Sequence, residues 1–159
     1  GILKYMKIIK LIISIAVCHM AGFICAFFTS PSSSAWYAGL HKPSFNPPDG
    51  IFGPVWLTLY ILMGVSLFLV WIDKASRKKY AVRIFFIQLI LNAFWSIVFF
   101  GLNSPLYAFI VIIVLWIAIL LSIISFRRIS PVAGYLLVPY FLWVSFAGIL
   151  NFFLWRLNA

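Results

Sequence analysis

Acidic side chains are almost missing from this sequence. Its 159 residues include Asp49 and Asp73 as the only carboxylates, and no glutamate at all. Paired carboxylates for acid–base work on a substrate are therefore not on offer. Nor is a carboxylate inside an apolar run, of the kind ion-coupled pumps place within the membrane. Histidine is as scarce, with His19 and His41 alone, and the only cysteines are Cys18 and Cys25. Both thiols fall in an apolar run, where they read as buried side chains rather than a disulfide or a metal site. No Ser/His/Asp or Cys/His pattern and no glycine-rich phosphate loop occurs, which removes the usual hydrolytic and nucleotide-binding chemistries. No metal site is expected and no cofactor is required.

What the chain has in abundance is hydrocarbon. It is 65% hydrophobic and 9% charged, against about a quarter charged in an ordinary soluble domain. The apolar runs predict an all-α integral membrane protein, a bundle of five transmembrane helices forming one domain over 1–159. The spans are placed at about 8–28, 54–72, 82–101, 105–126 and 131–156, with a structured Pro-rich loop between the first two. The formal charge of +10 would suggest nucleic acid for a soluble protein. Here the cations sit at the ends of apolar runs, so they read as orientation signals and no nucleic-acid partner is expected. Lys4, Lys7, Lys10, Lys74, Arg77, Lys78, Lys79, Arg83, Arg127 and Arg128 share one side, leaving Lys42 and Arg156 on the other. In a bacterial cytoplasmic membrane that split sets the N-terminus inside and the Pro-rich loop and C-terminus outside.

Taken in order, the first span comes after three lysines and precedes Ser-Ser-Ser-Ala at 32–35, a signal-peptide-like frame. Its apolar run is too long for a signal and is read as a helix of about 31 Å. Ser14, Cys18, Gly22 and Ala26 recur every four residues, a stripe that lets another helix approach closely. His19 stands beside it and is read as a neutral ring hydrogen-bonded to a neighbouring helix. On the second span Trp56, Tyr60, Met63, Leu67 and Trp71 share a face, and the Trp56 indole N–H calls for an acceptor. The third carries Gln88, Asn92, Ser96 and Asn103 on one face, flanked by Trp95 and Phe99. Amides in hydrocarbon are costly unless paired, so that face looks into the bundle, toward other helices or a ligand. Ser104-Pro105 and Ser130-Pro131 are helix-start signals for the fourth and fifth spans. The fourth is mainly wall around Trp116. In the fifth, Pro139 denies the Tyr135 carbonyl its usual donor, which predicts a kink or local opening. Beyond it, Trp143, Ala147, Asn151 and Trp155 share one face.

The stretch from Trp36 to Gly64 organises the rest. Pro43, Pro47 and Pro48 exclude an ordinary helix, and Gly53-Pro54 begins one. So many aromatics in a loop of this length read as a lid at the mouth of the bundle. Trp36-Tyr37, Lys42-Pro43-Ser44, Pro47-Pro48, Phe52-Gly53-Pro54-Val55-Trp56, and Leu59-Tyr60 through Met63-Gly64 resemble the TspO/MBR family of tryptophan-rich sensory proteins and mitochondrial translocator proteins. LNAFWSIVFFGLNSP at 91–105 and LLVPYFLWVSFAGILNFFLWRLN at 136–158 agree, in the family's order. Asp49-Gly50 departs from the Trp that members often carry after Pro-Pro-Asn.

The resemblance implies a five-helix bundle, usually a homodimer among membrane lipids, that binds porphyrins such as haem and protoporphyrin IX and other flat apolar molecules. Trp56, Asn92 and Trp143 match positions associated with the family's pocket, and Ala147 matches a small pocket-side position. With the aromatics Trp36, Tyr60, Trp95 and Tyr140 they make up the candidate ligand-binding set. The animal members' sterol motif has a counterpart in Leu150-Asn151-Phe152 and Arg156, but Phe152 lacks the hydroxyl, and sterol binding is not expected as a native role. Two functions are implied. One is a porphyrin-binding receptor or sensor, tied to tetrapyrrole transport or regulation. The other is a light- and oxygen-dependent enzyme that degrades tetrapyrroles, with Trp56 and Trp143 as its catalytic residues. The macrocycle is expected to be held by stacking and shape rather than by an axial iron ligand.

Overall fold

Apolar length alone gives the architecture: the computed structural model contains five helices long and apolar enough to cross a membrane. It describes residues 1–29 and 31–159, the side chains of Pro31, Ser32 and Ser33 excepted, so the serines of the signal-like frame lie partly outside it. Helix α1 covers Ile2–Phe28, α2 Pro31–Ala38, α3 Phe52–Ile72, α4 Lys79–Ser96 and α5 Pro105–Ile129. The last span is split into α6, Pro131–Leu136, and α7, Val138–Leu157. No strand occurs among the described residues. The protein is an all-α membrane bundle.

The helices close into a ring: α1 packs on α3, α3 on α6, α6 and α7 on α5, α5 on α4, and α4 back on α1. Small residues set the tightest contact. A Cβ at Gly64 would stand 2.5 Å from the Ile15 Cα, so α3 and α1 meet at the backbone. Ser14, Cys18 and Ala21 are buried along the same seam. Outward side chains such as Phe27, Ile90, Ile110 and Leu142 stay exposed, as helices facing lipid require.

Several boundaries differ from the sequence reading. Helix α1 starts at Ile2 rather than residue 8, because Lys4, Lys7 and Lys10 continue the helix instead of preceding it. The Lys10 ammonium lies 5.4 Å from the Trp71 ring centroid at that end of the bundle. Trp36 and Tyr37 sit at the end of a short helix, not in extended loop. Helix α4 finishes in a π-helical turn over Ile97–Gly101, where the Leu102 N–H reaches back to the Ile97 carbonyl at 3.0 Å. The extra residue in that turn rotates the chain beyond it. Asn103 therefore leaves the polar face assigned to it and sits exposed in a left-handed conformation, φ 51°.

Where the sequence signals were local, they are seen directly. Ser104 and Ser130 cap α5 and α6 by accepting from the N–H groups of Tyr107 and Ala133, each at 3.3 Å, with proline at the next position. The Leu137 N–H bonds to the Gly134 carbonyl, and helix resumes at Val138 beside Pro139. This break positions the site. Before it, α6 is pinned to α3 by the Ser66 hydroxyl, which donates to the Ala133 carbonyl at 2.7 Å. Beyond it, α7 makes little contact with α3. The bundle is closed at its basic end and parted at the other.

Candidate ligand-binding site

The parted end holds a cavity of about 710 Å³, walled by the last turns of α1, the start of α3, the end of α4 and the middle of α7. Its volume falls in the range of small-molecule sites, roughly 300–1,000 Å³. Two aromatic groups face it. On α3, Trp56 stacks on Tyr60 with centroids 5.6 Å apart and planes 28° from parallel. On α7, Trp143 meets Phe52 edge-on at 5.9 Å and Phe146 at 5.7 Å. Gly22, Gly53, Ala26 and Ala147 line the space between them. A Cβ at Gly22 would come within 2.9 Å of the Tyr60 ring, so glycine there leaves room for the phenol.

Behind Tyr60 runs a buried polar chain. The Tyr60 hydroxyl donates to Asn92 Oδ1 at 2.6 Å, and Asn92 Nδ2 donates to the Tyr140 hydroxyl at 2.9 Å. Tyr140 in turn donates to Gln88 Oε1 at 2.7 Å. This satisfies the amides of α4 inside hydrocarbon and ties three spans together. A second link lies nearer the mouth. Trp95 Nε1 donates to Asn151 Oδ1 at 2.9 Å, and Asn151 Nδ2 donates to the Pro105 carbonyl at 2.8 Å. Trp95 stacks on Phe99 at 5.1 Å, and Trp36 meets Phe99 edge-on at 5.4 Å.

Helix α2 and the loop that follows it close the mouth, with Ser34 and Tyr37 of the helix and Asn46 and Asp49 of the loop in the cavity wall. Its anchors are specific. Lys42 Nζ donates to the Tyr37 carbonyl at 2.8 Å, capping α2, and lies 4.6 Å from the Tyr37 ring centroid. Asn158, just past α7, accepts from the His41 N–H at 2.8 Å and donates to the His41 carbonyl at 2.9 Å. Burial raises the Tyr37 phenol above its ordinary pKa, so it stays protonated and neutral at the mouth.

Of the eight candidate residues named from sequence, Trp56, Tyr60, Asn92, Trp95, Trp143 and Ala147 lie in this wall. Trp36 and Tyr140 do not. Trp36 backs Phe99, and Tyr140 is wholly buried, with its hydroxyl engaged by two amides. His19 lies in the wall, but its Nδ1 bonds within its own helix, to the Ile15 carbonyl at 2.9 Å, rather than to a neighbour. The sterol-motif residues do not share a face: Leu150 and Asn151 line the cavity while Phe152 is exposed outside.

Asn46 was not singled out from sequence. Among the described residues the buried side-chain atoms without a hydrogen-bond partner are Asn46 Oδ1 and Trp143 Nε1, both on cavity residues. The amide's orientation is fixed by chemistry, because the Pro47 carbonyl 3.2 Å away can only accept and so must face Nδ2. Burying an acceptor and a donor unpaired is costly. A ligand bearing the complementary groups would remove that cost at both.

Apart from α1, the segments that build this cavity are those that carry the sequence resemblance, and the TspO/MBR family model matches residues 14–156. The chain belongs to the TspO/MBR family. It is 44% identical over 154 residues to a tryptophan-rich protein TspO of Archaeoglobus fulgidus, covering 97% of this chain and 100% of that one. It is 45% identical to a TspO of Chlorobaculum tepidum, over 96% and 98% of the two chains. The human translocator protein is 36% identical, over 86% of this chain and 82% of the relative. The stretch matched by the TspO/MBR model takes in the whole cavity wall, from His19 to Leu154.

Proposed function

We propose that this TspO/MBR protein is a membrane receptor or sensor that binds porphyrins, haem and protoporphyrin IX among them, and related flat apolar molecules, in the service of tetrapyrrole transport or regulation. The observation that carries this reading is the cavity itself. Trp56 and Trp143 offer ring faces from separate helices across a largely apolar space. The unpaired Trp143 N–H and Asn46 carbonyl supply the few polar contacts that would orient a planar guest. A flat polycycle gains stacking area from both indoles, and its polar edge meets the donor and the acceptor. The parting of α7 from α3 provides the way in. We place the protein in a bacterial cytoplasmic membrane, with its N-terminus and ten-cation side facing the cytoplasm.

A second reading, light- and oxygen-dependent breakdown of the porphyrin, is favoured by one feature. Trp56 and Trp143 both border the cavity, and Tyr60 stacks on Trp56. Indoles and phenols at that range can donate electrons to a photo-excited guest, with dioxygen as the terminal oxidant. Protoporphyrin IX added to purified protein, tracked by absorption in darkness and then in light with oxygen, separates the two. Binding in darkness with bands that persist under light leaves the receptor alone. Bands that decay with wild-type protein, but persist with Trp56→Phe and Trp143→Phe that still bind, establish the enzyme.

A further inference from the structure

His19 is the residue of the cavity wall whose protonation geometry the receptor reading does not use. Its Nδ1 lies 2.9 Å from the Ile15 carbonyl oxygen. That oxygen only accepts, so Nδ1 carries the ring proton, and a neutral imidazole then has its lone pair on Nε2. Among the described residues no hydrogen bond to Nε2 is found. The ring leans on Tyr60, centroid to centroid 5.9 Å, and Tyr60 in turn stacks under Trp56. The imidazole therefore stands at the edge of the aromatic platform that would carry a macrocycle. Imidazoles that bind metals characteristically donate their other N–H to a carboxylate, water or main-chain carbonyl. His19 has that arrangement already set by its own helix.

We propose that His19 Nε2 is an axial ligand for the iron of a haem held in this cavity. The proposal rests on the porphyrin-binding reading and revises the expectation that stacking alone would hold the macrocycle. Cys25, the other soft donor in the wall, is the weaker candidate because its Sγ is 3.7 Å from the Tyr60 hydroxyl and shares a hydrogen bond with it. His41 is exposed, and its main chain is bonded to Asn158 at the far end of the lid. Coordination would let one cavity distinguish the iron-bearing macrocycle from its metal-free precursor, which stacks equally well but has no metal for the imidazole to bind.

The test uses the whole chain in detergent, titrated separately with haem and with protoporphyrin IX in the dark. The ferrous haem complex is then probed by resonance Raman for an iron–histidine stretch. Wild type should show the stretch and bind haem more tightly than the metal-free macrocycle. His19→Ala should lose the stretch and weaken haem by roughly tenfold or more, while its affinity for protoporphyrin IX stays essentially unchanged. Imidazole in the buffer should restore a nitrogen-ligated spectrum to that variant, and His19→Gln guards against a packing defect. His41→Ala should match wild type. Haem bound without a nitrogen ligand, a stretch that survives His19→Ala, or a thiolate spectrum abolished by Cys25→Ser would each overturn the assignment. Tight protoporphyrin binding with no preference for haem defeats the ligation alone. Failure of both macrocycles to bind defeats the receptor reading with it.

Discussion

Both ends of the Asn92 amide are held by tyrosines, and both partners are buried with it. Its role is thereby different from that of a residue whose polar group is free for a guest. Asn92→Ala leaves the Tyr60 and Tyr140 hydroxyls short of a partner inside the bundle. Each lost interhelical bond is worth about 0.6–1.7 kcal/mol in membrane proteins, so thermal unfolding in detergent should shift clearly downward. Trp143→Phe removes an N–H that nothing among the described residues accepts. It should leave the unfolding temperature nearly unchanged and lower porphyrin affinity by about tenfold, or ~1.4 kcal/mol. The reverse pattern, a stable Asn92→Ala and an unstable Trp143→Phe, would show the roles to be misassigned. The buried amides were legible in sequence because polar groups in an apolar run must find partners. Which partners they find was not, since Tyr60, Asn92 and Tyr140 come from three spans. Asn46 was hidden for the same reason: only the docking of the lid turns its carbonyl into a buried, unpaired acceptor.

Among the elements, the break between α6 and α7 and the seam between α1 and α3 do most to shape the cavity. Pro139→Ala returns an N–H that can donate to the Tyr135 carbonyl, so α6 and α7 can join as one continuous helix. The straightened span should unfold at higher temperature and bind porphyrin less well. Unchanged affinity would mean that the break does not hold the site open. Gly64→Ala sets a methyl against the Ile15 backbone at a spacing no real contact tolerates. Forcing the helices apart should cost about 1–3 kcal/mol or more, read as a lower unfolding temperature. The proline break and the two serine caps were visible in sequence because each acts within a turn of itself. The π-helical turn was not: Ile97–Gly101 is ordinary apolar sequence, and its widened turn brings Phe99 and Phe100 beside Trp95 through packing. The lid's attachment was equally out of reach, since His41 and Asn158 stand 117 residues apart.

At the scale of the whole molecule, charge and cavity lie at opposite ends. The ten cations, on the first turns of α1, the loop between α3 and α4, the start of α4 and the last turn of α5, surround the closed end of the bundle, whereas the cavity opens beneath the lid, near Lys42. The orientation proposed above, drawn from the positive-inside tendency, turns the closed end to the cytoplasm. A reporter active only in the cytoplasm, fused after Ala159, should give no signal in a bacterial host; strong signal would reverse the orientation. The cavity would then collect its guest from the outer leaflet or the external solution. The central claim is that a porphyrin occupies this space and not the lipid-facing exterior. The most direct measurement is a dark titration of purified protein with protoporphyrin IX, comparing wild type with Ala147→Phe, which fills the cavity from α7 without altering the outer surface. Wild type should saturate at one porphyrin per chain with quenched tryptophan emission, and a folded Ala147→Phe should show neither. Equal saturation and quenching by the two proteins would contradict the account.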